Sequence, residues 1–496
     1  MKGTVCPLLQ LKSVDLKKEK VETLIIPVCE DKEIHHDKTI KALVKKAQTL
    51  DEFKGAAKDG VTFYSPAGTK VTRATVLGAG KVGKINPEAL RSMAGRAVKD
   101  AIKKGFSQIS IAVPTSKSLG METSLILEAM GEGAVLGNHL FSRYKKEEKS
   151  KPLKNIFLLT DAATIKAHSK LAARTETICR GTLLAREWVN MPPNDKPPVQ
   201  FAKAISRAAA KENLKITVLD EKALRQKKFG AMLAVASGSQ NKPCLVVMEY
   251  RPRGAKKTIA LVGKGVTFDS GGLNLKPGGS MDTMKSDMSG AAAVAAALIT
   301  LAKLKPKVNV VGLLPIVENM PSGTATRPGD IVKSYAGKTI EIGNTDAEGR
   351  LILVDAIAYA IKTYKPETLI DLATLTGACV VALGEKIAGA FSSDDKLAET
   401  IIASGEKTYE RCWRLPLPED YKEDLKSDFA DLNNVGSTRW GGAITAALFI
   451  GDFAEKTRWA HIDIAGPSFR KKETAYCGAG ATGFGVRLLC DMIEKL

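Results

Sequence analysis

The chain has 496 residues, 44% hydrophobic and 26% charged, with no run of eighteen apolar residues. It is too long for one ordinary core and reads as a globular protein of two or three domains without a membrane span. Its formal charge of +20 is uneven: residues 1–180 hold 32 basic and 19 acidic side chains, +13 of the total, a solvated lysine-rich surface or a face with affinity for an anionic polymer such as nucleic acid.

The first eighteen residues, MKGTVCPLLQLKSVDLKK, carry a short apolar stretch with charges close behind and no small-residue cleavage site. They read as a first strand and not a signal peptide. Apolar runs at 22–29, 71–77, 108–115 and 155–160 predict strands, and the patterns at 87–104 and 122–139 predict helices between them. Strands alternating with helices imply a largely parallel sheet. A helical stretch at 172–189 meets Asn190-Met191-Pro192-Pro193-Asn194, with Pro197-Pro198 beyond. Prolines end helices, so a new domain is expected there. The expected division is an N-terminal domain over 1–166, a linking helix over 167–190 and a C-terminal domain over 191–496. In the C-terminal part, strands are predicted at 258–262, 308–316, 339–342 and 368–373, and helices at 290–304, 351–364 and 443–453.

Three motifs are weaker than they look. Gly78-Ala79-Gly80-Lys81-Val82-Gly83 follows a strand like a dinucleotide fingerprint, but Asn86-Pro87 marks the next helix start too late, and no acid ends the next strand. Asp269-Ser270-Gly271-Gly272 resembles a serine-protease nucleophile loop, but only five histidines exist and the α/β pattern is wrong for that fold. Cys379 has no histidine near it in sequence and reads as a packed thiol. The eight cysteines are scattered without a CxxC pair, which fits reduced thiols in a cytoplasm.

Two stretches carry chemistry. Val262–Gly290, VGKGVTFDSGGLNLKPGGSMDTMKSDMSG, starts at the end of an apolar strand and holds Lys264, Asp269, Lys276 and Asp287. Active sites of α/β sheets sit at the carboxyl ends of strands. Gly343–Leu351, GNTDAEGRL, joins a strand to an apolar helix. If it is extended, Asp346, Glu348 and Arg350 project to one side. Carboxylates crowded together need compensation, and divalent cations supply it. Four acids shared by two ions about 3.5–4 Å apart would build a two-metal hydrolase site.

At these residues the sequence resembles the leucyl aminopeptidase family. The resemblance rests on Asn344-Thr345-Asp346-Ala347-Glu348-Gly349-Arg350-Leu351, with VGKGVTFDSGG, Leu275-Lys276-Pro277, MKSDMSG at 284–290, ENMPSG at 318–323, ATLTG at 373–377 and GGAITA at 441–446 in support. It implies an α/β protein with an N-terminal macro-domain-like module and a larger C-terminal catalytic domain around a mixed central sheet. It implies hydrolysis of the N-terminal peptide bond of peptides, with preference for leucine and other apolar residues, by a water or hydroxide bridging two Mn²⁺ or Zn²⁺ ions. One ion would take Lys264 (as a neutral amine), Asp269, Asp287 and Glu348; the other Asp269, Asp346 and Glu348. Lys276 would stabilise the oxyanion, and Arg350 would hold a bicarbonate acting as general base. Met284, Thr374, Gly377 and Ala465 would line the side-chain pocket, whose shape changes where Ser468 stands in place of a larger apolar residue. Family members form homohexamers in the cytoplasm, and some bind DNA, which the basic N-terminal part permits here.

Overall fold

The computed structural model describes residues 8–57, 59–147 and 150–496. They fall into two compact units. One runs to Cys179 and takes back Lys472–Ala479; the other comprises Arg180–Lys471 and Gly480–Leu496.

The first unit is built on six strands: β1 (Leu9–Lys12), β2 (Val21–Val28), β3 (Gly60–Tyr64), β4 (Val71–Gly78), β5 (Gln108–Ala112) and β6 (Asn155–Leu159). Their order is β1-β6-β5-β2-β4-β3, and every adjacent pair is parallel except β3–β4. The expected first strand is β1; residues 1–7 lie outside the described residues. β2 is buried along seven of its eight positions, all apolar but Thr23, as a strand covered on both faces must be. The sequence reading missed β3, a half-exposed edge strand whose GVTFY lacks a continuous apolar run. The helix Pro87–Lys103 begins where the Asn86-Pro87 pair places it: the Asn86 side chain accepts from the Ala89 N–H, and proline sits in the first turn. Gly78–Gly83 is a strand end followed by a short 3₁₀ turn, Val82–Lys84, and no helix opens inside it.

The returning segment is pinned to this unit. Lys99 Nζ reaches Glu473 Oε2 at 2.9 Å and the Thr474 carbonyl at 2.7 Å, and the Tyr476 hydroxyl donates to Glu88 Oε2. Gly95 faces Tyr476 so closely that a Cβ there would lie 2.6 Å from the tyrosine Cβ.

The second unit carries β7 (Lys215–Leu219), β8 (Cys244–Tyr250), β9 (Thr258–Gly263), β10 (Gly265–Asp269), β11 (Asn309–Asn319), β12 (Ile331–Lys333), β13 (Thr339–Glu341), β14 (Thr368–Ala373), β15 (Ala388–Ser392), β16 (Cys412–Arg414), β17 (Leu432–Asn433) and β18 (Arg458–Asp463). Nine of them form one mixed sheet in the order β16-β15-β18-β14-β9-β11-β8-β7, with β10 paired alongside β11. β9, β10, β11, β14 and β18 run parallel, while β8 opposes both its neighbours and β15 opposes β18 but runs parallel to β16. β12, β13 and β17 make a separate small sheet.

Period two divides the central strands between two cores. Ile259, Leu261, Val310, Leu314, Ile370 and Leu372 join the core under the helix Ser289–Leu304. Ala260, Val262, Val311, Leu313, Leu369 and Ala373 join the core under the helix Glu348–Tyr364. The helical stretch Met284–Leu304 is long and apolar enough to cross a membrane, yet 89% of its most apolar window is buried inside the unit. It is a core helix, apolar all round because it is covered all round.

Candidate active site

The parallel strands β10, β9, β14 and β18 all end at one edge of the large sheet, and the segments leaving them carry the polar residues. Lys264 follows β9 directly, and its backbone N–H is held by the Leu372 carbonyl at 3.0 Å. Asp269 closes β10, opposite Asn319 at the end of β11. Asp287 ends the short 3₁₀ turn Met284–Ser286, just before the helix Ser289–Leu304. Asp346 lies in a turn, and Glu348 is the first residue of the helix Glu348–Tyr364.

This corrects the extended reading of GNTDAEGRL. Only Asp346 precedes the helix, and Glu348 and Arg350 lie in its first turn. The bend between turn and helix, and not period-two alternation, brings Asp346 and Glu348 to one point. Ligand-capable oxygens of Asp269, Asp346 and Glu348 all lie within 4.8 Å of one another. Arg350 Nη1 donates to the Asn434 carbonyl at 2.8 Å, and among the described residues its Nε has no hydrogen-bond partner.

The two lysines divide the acids between them. Lys264 Nζ stands 2.9 Å from Asp287 Oδ1 and 2.7 Å from Glu348 Oε1, and also donates to the Thr374 carbonyl. Lys276 Nζ stands 2.8 Å from Asp269 Oδ2 and 2.5 Å from Asp346 Oδ1. The Lys264 side chain is 4% exposed and that of Lys276 14%, so the second lies nearer the open side. Glycines make room for this crowd. A Cβ at 349 would lie 2.7 Å from Lys264 Nζ, so only glycine leaves the lysine its path. Gly271 and Gly272 both take positive φ, which turns the chain after Asp269 so that Lys276 comes back toward it.

Four carboxylates against two ammoniums leave net negative charge in a buried place. Burial raises the Glu348 carboxyl well above its usual range, and the Asp269 charge adds to this. Burial also raises Asp287, against the pull of Lys264, and raises Asp346. For Lys264 burial works against the charge, but Asp287, Glu348 and Asp269 outweigh it and hold the ammonium above its ordinary value; Lys276 is raised in the same way. Burial lowers the Arg350 guanidinium to about 10.

These residues fit divalent metal. Asp287 Oδ2 is buried with no hydrogen-bond partner. Asp346 Oδ1 and Glu348 Oε1 make no well-formed hydrogen bond and have only the lysine ammoniums within ion-pair distance. Buried polar oxygens are normally satisfied, and carboxylate oxygens of Asp269, Asp346 and Glu348 gathered at one point, with Asp287 Oδ2 unpartnered, make the oxygen-rich set that hard cations take.

One of the expected pocket residues lies against this centre. The Thr374 hydroxyl donates to Asp287 Oδ1 at 2.7 Å, so it touches the acid set directly. Met284 and Ala465 are half-buried, Gly377 is exposed and opens the helix Gly377–Leu383, and Ser468 is buried. Cys379, in that same helix, is a free buried thiol whose pKa burial pushes up to about 12, as a packed cysteine's would be.

Four further residues, given no role in the sequence reading, position the site. Asn319 donates from its side chain to Asp269 Oδ1 and to the Thr345 carbonyl. The Thr345 hydroxyl donates to the Gly271 carbonyl and accepts from the Asn274 N–H. Asn434 accepts from the Gly343 and Asn344 N–H groups, donates to the Asn344 carbonyl and offers its own carbonyl to Arg350. Asp463, at the end of β18, accepts from the Leu375, Thr376 and Ala465 N–H groups and from the Thr376 hydroxyl. It therefore ties the segments that carry Thr374, Gly377 and Ala465 to one strand end. The signal for Asn319 and Asn434 was a buried amide among backbone groups, which no single-sequence pattern isolates.

Comparison with known proteins agrees with this geometry. The model of the cytosol aminopeptidase family's catalytic domain matches residues 183–490, and that of the same family's N-terminal domain matches 27–148. The chain is 41% identical to a probable cytosol aminopeptidase of Chlorobium phaeobacteroides, over 97% of this chain and 98% of that protein. It is 42% identical to one of Chlorobaculum tepidum, over 95% and 96%. Among solved structures, the bottromycin maturation enzyme BotP in complex with Mn superposes with a TM-score of 0.85 at 33% identity, covering 96% of this chain and 99% of that one. With both of its family's domains matched and an acidic centre suited to metal at the strand ends, the chain belongs to the cytosol aminopeptidase family and is a metal-dependent aminopeptidase.

Proposed function

We propose that the protein removes N-terminal residues from unblocked peptides, preferring leucine and other apolar side chains, at a centre of two divalent ions. The observation that carries this reading is the convergence of Asp269, Asp346 and Glu348 within 4.8 Å, with the orphaned Asp287 oxygen and Lys264 beside them. Lys264, Asp269, Asp287 and Glu348 would hold one ion, and Asp269, Asp346 and Glu348 the other. When bound, such a pair supplies Lewis acidity and a water made nucleophilic near neutral pH.

The chain's own residues do the rest. Lys264, deeply buried between two acids, serves the ion set and must lose its proton to do so. Lys276, nearer the open side, keeps its charge and faces the developing oxyanion. Arg350 keeps one buried N–H uncommitted, which suits it to hold a small anion such as bicarbonate as the general base. Thr374 orients Asp287 while forming part of the pocket wall, and Met284, Gly377 and Ala465 complete that wall. Manganese or zinc is the expected metal; the BotP structure with Mn favours manganese. A homohexamer in the cytoplasm is the expected form.

The test is hydrolysis of a leucine chromogenic amide by purified protein, with and without manganese, beside the N-acetylated substrate. Release from the free amide alone, lost in chelator and restored by metal, supports the reading. Equal rates on free and acetylated substrates, or full activity after chelation and dialysis, overturn it.

A further inference from the structure

The first unit has a crevice of its own. In its sheet the chain passes from β2 outward to β4 and from β5 outward the other way to β6, although β2 and β5 are neighbours. Strand order thus reverses between β2 and β5, and ligands of open α/β sheets bind outside the carboxyl ends of the strands at such a point. A cavity of about 590 Å³ lies there, lined by the segments that leave β1, β2, β5 and β6. Its size is that of small-molecule sites generally.

The crevice is held open by bonds between those segments. His35 is buried, and its Nε2 lies 2.6 Å from the Pro27 carbonyl at the end of β2; burial lowers its pKa, so it stays neutral and structural. The Thr115 N–H donates to the Ile34 carbonyl, and the Val113 N–H to the Leu159 carbonyl. The segments after β2, β5 and β6 are therefore fastened to one another.

The lining selects the ligand. Leu16, Ile40, Val113 and Leu159 supply an apolar wall, and Ser13, Thr115 and Thr160 are among the hydroxyl groups around it. Asp37 caps the helix Lys38–Gln48 with Oδ1 alone, accepting from the Thr39 and Ile40 N–H groups, which leaves Oδ2 to accept from a ligand. Asp161 caps the helix Ala162–Ala167 at the same cavity. The two carboxylates at these helix starts outnumber the one lysine of the lining, Lys117, and so oppose a phosphate, and none of the lining residues is a glycine that could cradle one. An apolar wall for a planar ring, a carboxylate for a sugar diol and no phosphate cradle together describe a nucleoside. We propose that the N-terminal unit binds a nucleoside, its base against Leu16 and Ile40 and its ribose hydroxyls on Asp37.

The proposal is tested by calorimetric titration of the full-length protein with adenosine, guanosine, cytidine and uridine, and with adenosine diphosphate and leucine for comparison. Two variants accompany it: Asp37→Asn, which keeps the capping oxygen, and Thr123→Trp, which fills the rim. At least one nucleoside is expected to bind saturably at up to millimolar concentration. Affinity should fall about tenfold or more in Asp37→Asn, the cost of losing a hydrogen bond to a charged acceptor, and should vanish in Thr123→Trp. Peptide hydrolysis should be unchanged in both, and the unfolding midpoint and circular dichroism of each variant should match the parent, which shows that the first unit remains folded. No saturable heat with any of the four overturns the proposal. So does nucleoside binding that both variants leave intact, leucine binding in the crevice instead, or a diphosphate that binds far more tightly than its nucleoside.

Discussion

At the carboxyl ends of β9, β10 and β14 the second unit gathers buried carboxylates and two lysines whose charges do not balance. At the carboxyl ends of β1, β5 and β6 the first unit gathers hydroxyls, a neutral histidine and acids already engaged as helix caps. The two places are topologically alike, since each is the edge toward which parallel strands point. They differ in whether unbalanced charge is buried there. Architecture supplies the place, and the electrostatic debt left at that place decides between chemistry and mere binding.

The sharpest way to break this contrast is to remove the debt. Asp269→Ala and Glu348→Ala each delete a carboxylate assigned to both ions, so metal content by elemental analysis should fall and turnover should drop below about a thousandth of the parent, beyond the loss of a single oxyanion donor. Asp346→Ala should lose less metal. Parent-like activity in Glu348→Ala would end the two-metal reading.

The lysines separate next. Lys276→Ala should keep its metal yet lose roughly 10²–10³ in turnover, and excess metal should not rescue it. Lys264→Ala should purify with less metal and regain activity at high metal concentration. Gly349→Ala should resemble Lys264→Ala, because its new methyl would lie 2.7 Å from Nζ and displace the amine. If Lys276→Ala loses metal while Lys264→Ala retains it, the two roles are exchanged.

A smaller effect probes the supports. Asp463→Ala strands three backbone donors, so denaturant unfolding should show a loss of about 2–4 kcal/mol, and KM should rise more than kcat falls as the pocket segments loosen. An unchanged KM in a folded variant would remove Asp463 from pocket positioning. The smallest effect belongs to the first unit. Replacing several exposed lysines there should leave peptide hydrolysis within about twofold; if that face also binds DNA, retention should fall steeply with salt in the parent and vanish in the variant.

Much of the site could be read from residue types alone. The acids and lysines of 262–290 and 343–351 stood at predicted strand ends, and the crowding of carboxylates there pointed to divalent cations. The strands themselves were legible where burial on both faces made continuous apolar runs, as in β2 and β14. β3 was not, because an exposed edge strand has no such run. The local shape around Glu348 was misread, since the same residues suit an extended segment and a first helical turn. Asn319 acts through the Asp269 side chain 50 residues away, and Asn434 and Asp463 act through backbone groups 91 and 88 residues away; such partners exist only in the folded chain.

The eight residues Lys472–Ala479 belong to the first unit although about 290 residues separate them from Cys179. On a ribosome the sheet β1–β6 is complete long before its last clamp has been made. At 5–20 residues per second, about 15–60 s pass between the two events. During that interval Lys99 has no Glu473 to pair with and Glu88 no Tyr476. The N-terminal unit is thus a provisional structure through most of translation, and a nascent chain truncated before residue 472 should expose this face to proteases or chaperones in a way the finished chain does not.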